Sequence, residues 1–377
     1  MKLVFLDPIP WNYTVQTVHG RPLGGGQSAL CYLAEALAAR GHEVTLLTNT
    51  DQPGLHHGVA CRSIAATSPE AARNLAADVC VVLNAALAPA NLRDLFGGQP
   101  LLVFWTGHAA DEPAVRSFQD SAACRGYDYF VFKSDWQRSQ FLARFPIPPE
   151  VAVILHNAVA PAFEGLFPPG TAIRAAKTRP PVLAYTSTPF RGLSLLLDMF
   201  PQIREAVPGT RLRVWSSMQV YQVPIEADRQ HFGALYRACQ QMQGVEYFGA
   251  IAQDRLALEL RSVTALAYPN TFAETSCIAV MEALAAGCGI LTSQQGALPE
   301  TTAGFGTLIS LADGPVAYKE RFRDAAVALL RRHLDDSDDD LEQHLRRQVD
   351  YVQARYVWTQ RAAEWEHWLG HRIRESP

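Results

Sequence analysis

At 377 residues the chain is longer than one ordinary hydrophobic core, so two domains are expected. Apolar residues make up 48% and charged residues 19%, a globular balance, and the formal net charge of −4 argues against nucleic acid as the main partner. No apolar run approaches the roughly 18 residues of a membrane span, and the opening MKLVFLDPIP is interrupted too soon for a secretory signal and reads as a first strand. The seven cysteines (31, 61, 80, 124, 239, 277 and 288) are odd in number and scattered, with no CxxC pair. Buried free thiols in a reducing cytoplasm are expected, rather than disulfides or a metal site.

Lys2–Asp7 is strand-like, and a polar loop leads to Gly24-Gly25-Gly26. Gln27–Arg40 has helical spacing, with Leu30, Leu33, Ala34 and Leu37 on one face and Gly41 as its stop. Strand patterns follow at Glu43–Thr48, Val59–Ile64, Val79–Leu83, Leu101–Trp105, Tyr127–Phe132 and Val151–Leu155. Helical patterns lie at Pro69–Ala76, Pro113–Ala122 and Asp135–Arg144. Residues 160–180, punctuated by proline and glycine, read as a linker. The alternation then restarts. Strands are expected at Val182–Ser187, Leu212–Ser216, Val245–Gly249, Thr264–Tyr268 and Gly289–Thr292. The helices between them are Leu193–Val207, Arg229–Met242, Asp254–Leu260 and Ile278–Ala286. Near-continuous apolar strands alternating with helices predict an α/β chain of two doubly wound parallel sheets facing a cleft. Ligands belong beyond the carboxyl ends of such strands. Asp335–Asp340 reads as a solvated loop rather than a metal site. Trp358–Ile373 is helical, and its tryptophans at 358, 365 and 368 require something to dock on, the first domain being one candidate.

The stretch Thr271–Gly287, TFAETSCIAVMEALAAG, follows an apolar strand and opens a small-residue helix, with Thr275 and Ser276 as candidate N-caps. A helix N-terminus suits an anion. Glu274 beside it would repel that anion, so a second role is needed, and hydrogen bonding the hydroxyls of a phosphate-bearing ligand supplies one. A nucleotide sugar is such a ligand. Gly25 and Gly26 at a helix start allow close approach of phosphate, although neither a GxGxxG fingerprint nor a Gly-Lys-Ser/Thr loop is present. Asp51 therefore reads as surface. Arg191, after Ser187-Thr188-Pro189-Phe190 at a strand end, is placed to clamp a diphosphate. His108, after LLVFWTG, also lies at a carboxyl end, as do His156-Asn157-Ala158. Trp11, Tyr13 and His19 form a candidate acceptor wall. Trp136, Phe141, Leu142 and Phe145 with Arg138 and Arg144 read as helix core, with a lipid-facing patch as the alternative.

FAETSCIAVMEALAAG resembles the E-x7-E stretch of retaining glycosyltransferases of family 4, which have the GT-B fold. GGGQSALCYLAEALAARGHEVTLLT, the His108 strand end, ILHNAV, YTSTPFRGL, GVEYFGAIAQ and ILTSQQGALPE fit in the same order. The resemblance implies an acceptor-binding domain over 1–165 completed by a terminal helix at 356–377, and a donor-binding domain over 166–355. It implies Glu274 on the donor sugar, Ser187, Ser276, Cys277 and Ile278 around sugar and phosphate, and Glu282 on the ribose. Arg191 and the loop at Gly25 and Gly26 would hold the diphosphate, and His108 the sugar. Many members carry an Arg and a Lys where this chain has Arg191 alone. The implied reaction is transfer from a nucleotide-diphosphate sugar to a hydroxyl acceptor, carbohydrate or lipid-linked, with no metal or other cofactor. A nucleotide-sugar epimerase of similar fold, a nicotinamide-dependent oxidoreductase and a non-catalytic sugar-nucleotide-binding protein are the competing readings.

Overall fold

The computed structural model describes residues 1–97 and 100–375, so residues 376 and 377 of the expected terminal segment lie outside the described residues. The chain forms two compact units. The first comprises Met1–Val18, Gly24–Ala158 and Trp358–Pro377, and the second His19–Leu23 and Val159–Val357. The expected boundary at 165 thus falls inside the second unit.

The first unit runs β1 (Lys2–Leu6), α1 (Gly25–Ala39), β2 (Glu43–Thr48), β3 (Gly54–His56), β4 (Val59–Ser63), α2 (Pro69–Arg73) and β5 (Val79–Leu83). It continues with α3 (Pro89–Phe96), β6 (Leu101–Trp105), α4 (Ser121–Gly126), β7 (Tyr129–Phe132), α5 (Asp135–Arg144) and β8 (Ala152–Ile154). The sheet order is β3-β4-β2-β1-β5-β6-β7-β8, parallel except for the β3–β4 pair. VCVVL of β5 and LLVFW of β6 are buried throughout because helices cover both faces. Pro113–Ala122 divides into a 3-10 helix, Pro113–Gln119, and α4. Phe141 and Phe145 of the proposed lipid patch pack with Phe132 and Phe118 in the core, while Trp136 and Leu142 of the same helix are only partly buried.

The second unit runs β9 (Val182–Tyr185), α6 (Leu193–Ala206), β10 (Arg211–Val214), α7 (Ile225–Gln241), β11 (Val245–Tyr247), α8 (Gln253–Arg261) and β12 (Ala265–Tyr268). It closes with α9 (Ile278–Ala285), β13 (Gly289–Ser293), α10 (Leu298–Thr302), β14 (Gly306–Ile309), α11 (Gly314–Leu334) and α12 (Asp339–Arg355). Its parallel sheet has the order β11-β10-β9-β12-β13-β14. Residues 160–180 are not a free linker. Phe167 and Ile173 pack on Leu341, Leu345 and Val349 of α12, and Glu342 accepts from Ile173 N at 2.7 Å and Arg174 N at 2.9 Å. The acidic run is likewise only partly solvated, since Asp338 caps α12 through Leu341 N at 2.9 Å.

The chain then returns to the first unit as α13 (Trp358–Glu375). Trp365 meets Trp105 edge-on at 5.3 Å and Trp368 meets Tyr129 at 5.4 Å, which accounts for the aromatic content of this helix. All seven cysteines are buried and free, and among the described residues no helix is long and apolar enough to cross a membrane.

Candidate active site

In the second unit the strand order reverses between β9 and β12, whose sequence neighbours lie on opposite sides. A crevice beyond the carboxyl ends of these two strands is where doubly wound sheets take ligands. The segments placed there are Thr186–Gly192 and Pro269–Cys277. They approach so closely at Gly192 that a Cβ would lie 2.2 Å from Pro269 O, and its φ of +109° also demands glycine.

This approach brings Arg191 to Glu274. Nη1 donates to Oε1 at 2.9 Å, with the carboxylate side chain 6% exposed and the guanidinium 21% exposed. Tyr268 OH donates to the same Oε1 at 2.6 Å, and Ser187 Oγ lies 3.3 Å from Tyr268 OH. Oε2 takes part in neither bond. The guanidinium stacks 4.6 Å from the Phe272 ring centroid. Burial opposes the charge of Arg191, but Glu274, Tyr221 and Tyr268 outweigh it and hold the group protonated. Glu274 is fixed from behind as well: Ala297 N donates to its carbonyl at 2.7 Å, and a Cβ at Gly296 would stand 2.4 Å from that oxygen.

Cys277, rather than Thr275 or Ser276, is the N-cap of α9, and it makes no side-chain cap bond. A capping hydroxyl is not required because Val280 and Met281 already donate to Cys277 O. Ile278 and Ala279, the first two helical residues, are only partly buried, so the helix start is open. The Cys277 thiol is pushed far up by burial and then by Glu274, and it also feels Arg191 and Glu282, which places these charges around it. Glu282 is 3% exposed, and burial alone raises its carboxyl to about 8. Thr186 Oγ1, Thr188 Oγ1, Arg191 Nε, Ser276 Oγ and Glu282 Oε1 are buried without hydrogen bonds. Each such atom costs about 1–3 kcal/mol when left unpaired, and this set of donors and acceptors suits a polyhydroxylated, phosphorylated ligand.

In the first unit the order reverses between β1 and β5. Gly25 and Gly26 open α1, and a Cβ at Gly26 would lie 3.3 Å from Asn84 Nδ2 at the end of β5. His108 follows β6, with its Nδ1 2.5 Å from Glu112 Oε2. Gln137, fully buried, donates to His108 O at 2.8 Å and Thr106 O at 3.1 Å, fixing the turn. Asp7 at the end of β1 is buried, and burial raises its carboxyl although bonds from Tyr13 OH at 2.6 Å and Gln27 Nε2 at 3.0 Å oppose the shift. Tyr13 is therefore core, not acceptor wall. His156 Nδ1 donates to Lys133 O at 3.0 Å and serves the turn after β8, while Asn157 is buried with its Oδ1 unpaired.

The second-unit candidates Ser187, Arg191, Glu274, Ser276, Cys277, Ile278 and Glu282 thus gather around one strand edge, while Gly25, Gly26 and His108 share the corresponding edge of the first unit. Sequence reading passed over Tyr268, Phe272, Gly296, Asn84 and Glu112. Only Glu112 carried a signal, its i, i+4 spacing from His108.

Residues 180–331 match the family model "Glycosyl transferases group 1". No curated protein sequence matches the chain. Among solved structures, sucrose-phosphate synthase from Thermosynechococcus elongatus is 16% identical with a TM-score of 0.68, each chain being covered over 100%. The Anabaena protein HepE in complex with UDP and glucose is 14% identical with a TM-score of 0.70, over 98% of this chain and 99% of that one. A trehalose 6-phosphate synthase from Burkholderia multivorans is 12% identical with a TM-score of 0.67, over 100% and 99%. The glycosyl transferases group 1 domain therefore occupies the unit that holds Glu274 and Arg191, and the chain is a glycosyltransferase with the GT-B fold.

Proposed function

We propose that the chain is a retaining transferase of family 4 that moves a sugar from a nucleotide-diphosphate sugar to a hydroxyl acceptor. The observation that carries this is the shared geometry of Glu274 and Arg191. Oε1 of the carboxylate is occupied by Arg191 and Tyr268, which orients Oε2 for sugar hydroxyls. Arg191 spends Nη1 on that carboxylate and keeps Nε for the leaving diphosphate. The C1–O bond to the diphosphate breaks with its electron pair passing to the phosphate oxygen. Arg191 and the N–H groups at the start of α9 stabilise that charge. The acceptor oxygen forms the new bond to C1 on the same face and gives its proton to the departing phosphate. His108, held by Glu112, contacts the sugar, and the α1 start at Gly25 and Gly26 serves the diphosphate. Glu282 binds the ribose diol, satisfying its unpaired Oε1. Phe248, 45% exposed and stacked on Trp215 at 5.3 Å, offers a flat face to the base. The protein acts in the cytoplasm.

UDP-sugars are the first donors to try, because HepE is described with UDP and with UDP-glucose; GDP- and dTDP-sugars follow. Donors that raise the melting temperature are then offered to hydroxyl acceptors, and the anomeric configuration of the product is read by NMR. The expected result is a retained product and free nucleoside diphosphate only when acceptor is present. An inverted product, or undiminished transfer by Glu274→Gln, overturns the proposal. Free nucleotide without acceptor would favour an epimerase.

A further inference from the structure

Arg191 is held by two aromatic rings as well as by one carboxylate. Its Cζ lies 4.6 Å from the Phe272 ring centroid and 5.5 Å from that of Phe190, both within cation–π range. The two rings meet edge to face, 6.4 Å apart at an interplanar angle of 78°, and the guanidinium occupies the corner between them. Phe272 is partly buried, while Phe190 is 45% exposed.

The backbone places both rings. Asn270, which is fully buried, grips Phe272 twice: its Oδ1 accepts from Phe272 N at 2.9 Å, and its Nδ2 donates to Phe272 O at 2.5 Å. Phe190 lies in the turn closed by Arg191 N donating to Thr188 O at 3.2 Å, and Gly192 brings that turn against Pro269 O. One ring is thus fixed two residues before Glu274 and the other one residue before Arg191.

Carboxylates and aromatic rings both hold a guanidinium, but they leave it in different states. A carboxylate takes N–H groups and cancels charge. A ring attracts the cation through its face and takes none of the five N–H donors. Among the described residues the ion pair of Arg191 is Nη1 with Glu274, and Nε is buried without a hydrogen bond. That single bond fixes one point of the group and leaves its plane free to swing. Rings bearing on the group remove this freedom, and they exclude water from it, which strengthens its attraction for an anion.

We propose that Phe272 and Phe190 are positioning residues of the transfer reaction, a two-ring clamp that sets the plane of Arg191 and leaves its remaining N–H groups to the departing diphosphate. The identity of that anion rests on the transferase reading. The clamp itself is a property of the ligand-free second unit.

Replacing Phe272 by trifluorophenylalanine tests the clamp, because the shape and apolar area stay while the negative face of the ring is lost. Phe272→Leu removes the ring altogether. In both proteins kcat is expected to fall about tenfold, with KM for the donor within about twofold of wild type. UDP carries the charge that the leaving group acquires, so calorimetric titration should show it bound more weakly in both. Phe190→Leu should act in the same direction and less strongly, its ring being the more distant. Wild-type kcat and UDP affinity in the fluorinated protein overturn the proposal, whether Phe272→Leu is active, inactive or unfolded, since the ring then serves packing alone. If the wild-type chain binds no nucleotide and transfers no sugar, the transferase reading fails, and the clamp is read from urea melts of the ligand-free protein. Fluorination of Phe272 should lower the unfolding midpoint of the second unit, and the shift should vanish in Arg191→Met. An unchanged midpoint, or the same shift in both backgrounds, overturns the clamp.

Discussion

Two buried glutamates eight residues apart meet different environments, and that difference predicts how each responds to substitution. Glu274 has Arg191 and Tyr268 on one oxygen. Removing the carboxylate in Glu274→Ala strands a mostly buried guanidinium, a loss of roughly 2–4 kcal/mol after allowing for its partial exposure. Glu274→Gln keeps an oxygen for Tyr268, so it should melt closer to wild type while kcat falls by at least a hundredfold, readable by calorimetry and initial rates. Glu282 has no cation beside it among the described residues, and burial raises it to about 8 from its ordinary 4.5. The folded state therefore binds the proton more tightly than the unfolded chain. Its contribution is present in full below pH 4.5 and is lost as pH rises through about 8, at about 1.4 kcal/mol per pH unit between the two values. Glu282→Gln, neutral at every pH, should remove this slope from the stability of the ligand-free protein and raise its melting temperature at pH 8. Donor affinity should fall in the same variant. A variant less stable than wild type at pH 8 would show that the carboxylate has a partner in solution.

At the level of elements, positive-φ glycines separate backbone strain from steric contact. Gly296 and Gly304 have φ of +58° and +82°, but a Cβ at Gly296 meets Glu274 O at 2.4 Å, whereas at Gly304 it meets nothing within 4 Å. Gly304→Ala should cost about 1 kcal/mol, from φ alone. Gly296→Ala should cost over about 2 kcal/mol and depress kcat by displacing Glu274, as urea melts and kinetics of the two variants will show. Equal costs would mean that the loop yields freely. The same division of causes explains what the sequence made legible. β2, β5, β6 and α5 have the bounds their patterns predict, because strands covered on both faces are continuous apolar runs and α5 is marked by the Ser134 cap. β3 is a three-residue edge strand with Leu55 exposed, so it has no apolar pattern to read. Residues 160–180 look like a linker because their order comes from α12, far along the chain, through Glu342 and Arg346. Arg191 and Glu274 were legible from their places at strand ends. Tyr268 and Asn84 were not, since an aromatic closing a strand and an asparagine in a turn have no distinguishing local pattern. Only topology makes neighbours of β5, β6 and β7.

Across the whole molecule, the chain leaves the first unit at Ala158 and comes back to it only at Trp358. α13 is thus the last segment in sequence but part of the first unit's core. Trp358, Trp365 and Leu369 are at most 3% exposed. Trp365 packs on Trp105, whose ring also carries Lys133, and Trp358 lies 6.3 Å from Tyr32 of α1. Arg40 and Glu366 pair at the rim. Each buried tryptophan is worth about 3–5 kcal/mol against alanine, comparable to the stability margin of an entire domain. A chain ending at Val357 should therefore lose the first unit selectively. Its near-ultraviolet circular dichroism and amide protection over β1, β6 and α1 should collapse, while the second unit, whose segments all lie before Trp358, keeps its own melting transition and its stabilisation by donor nucleotide. Adding the peptide Trp358–Pro377 in trans should restore part of the protection. If both units lose structure together, their stabilities are coupled beyond what separate cores require; if neither does, the aromatic packing of α13 contributes far less than its burial indicates. Trp365→Ala grades the same effect: with its edge-on contact to Trp105 removed, the first transition should fall while the second stays in place.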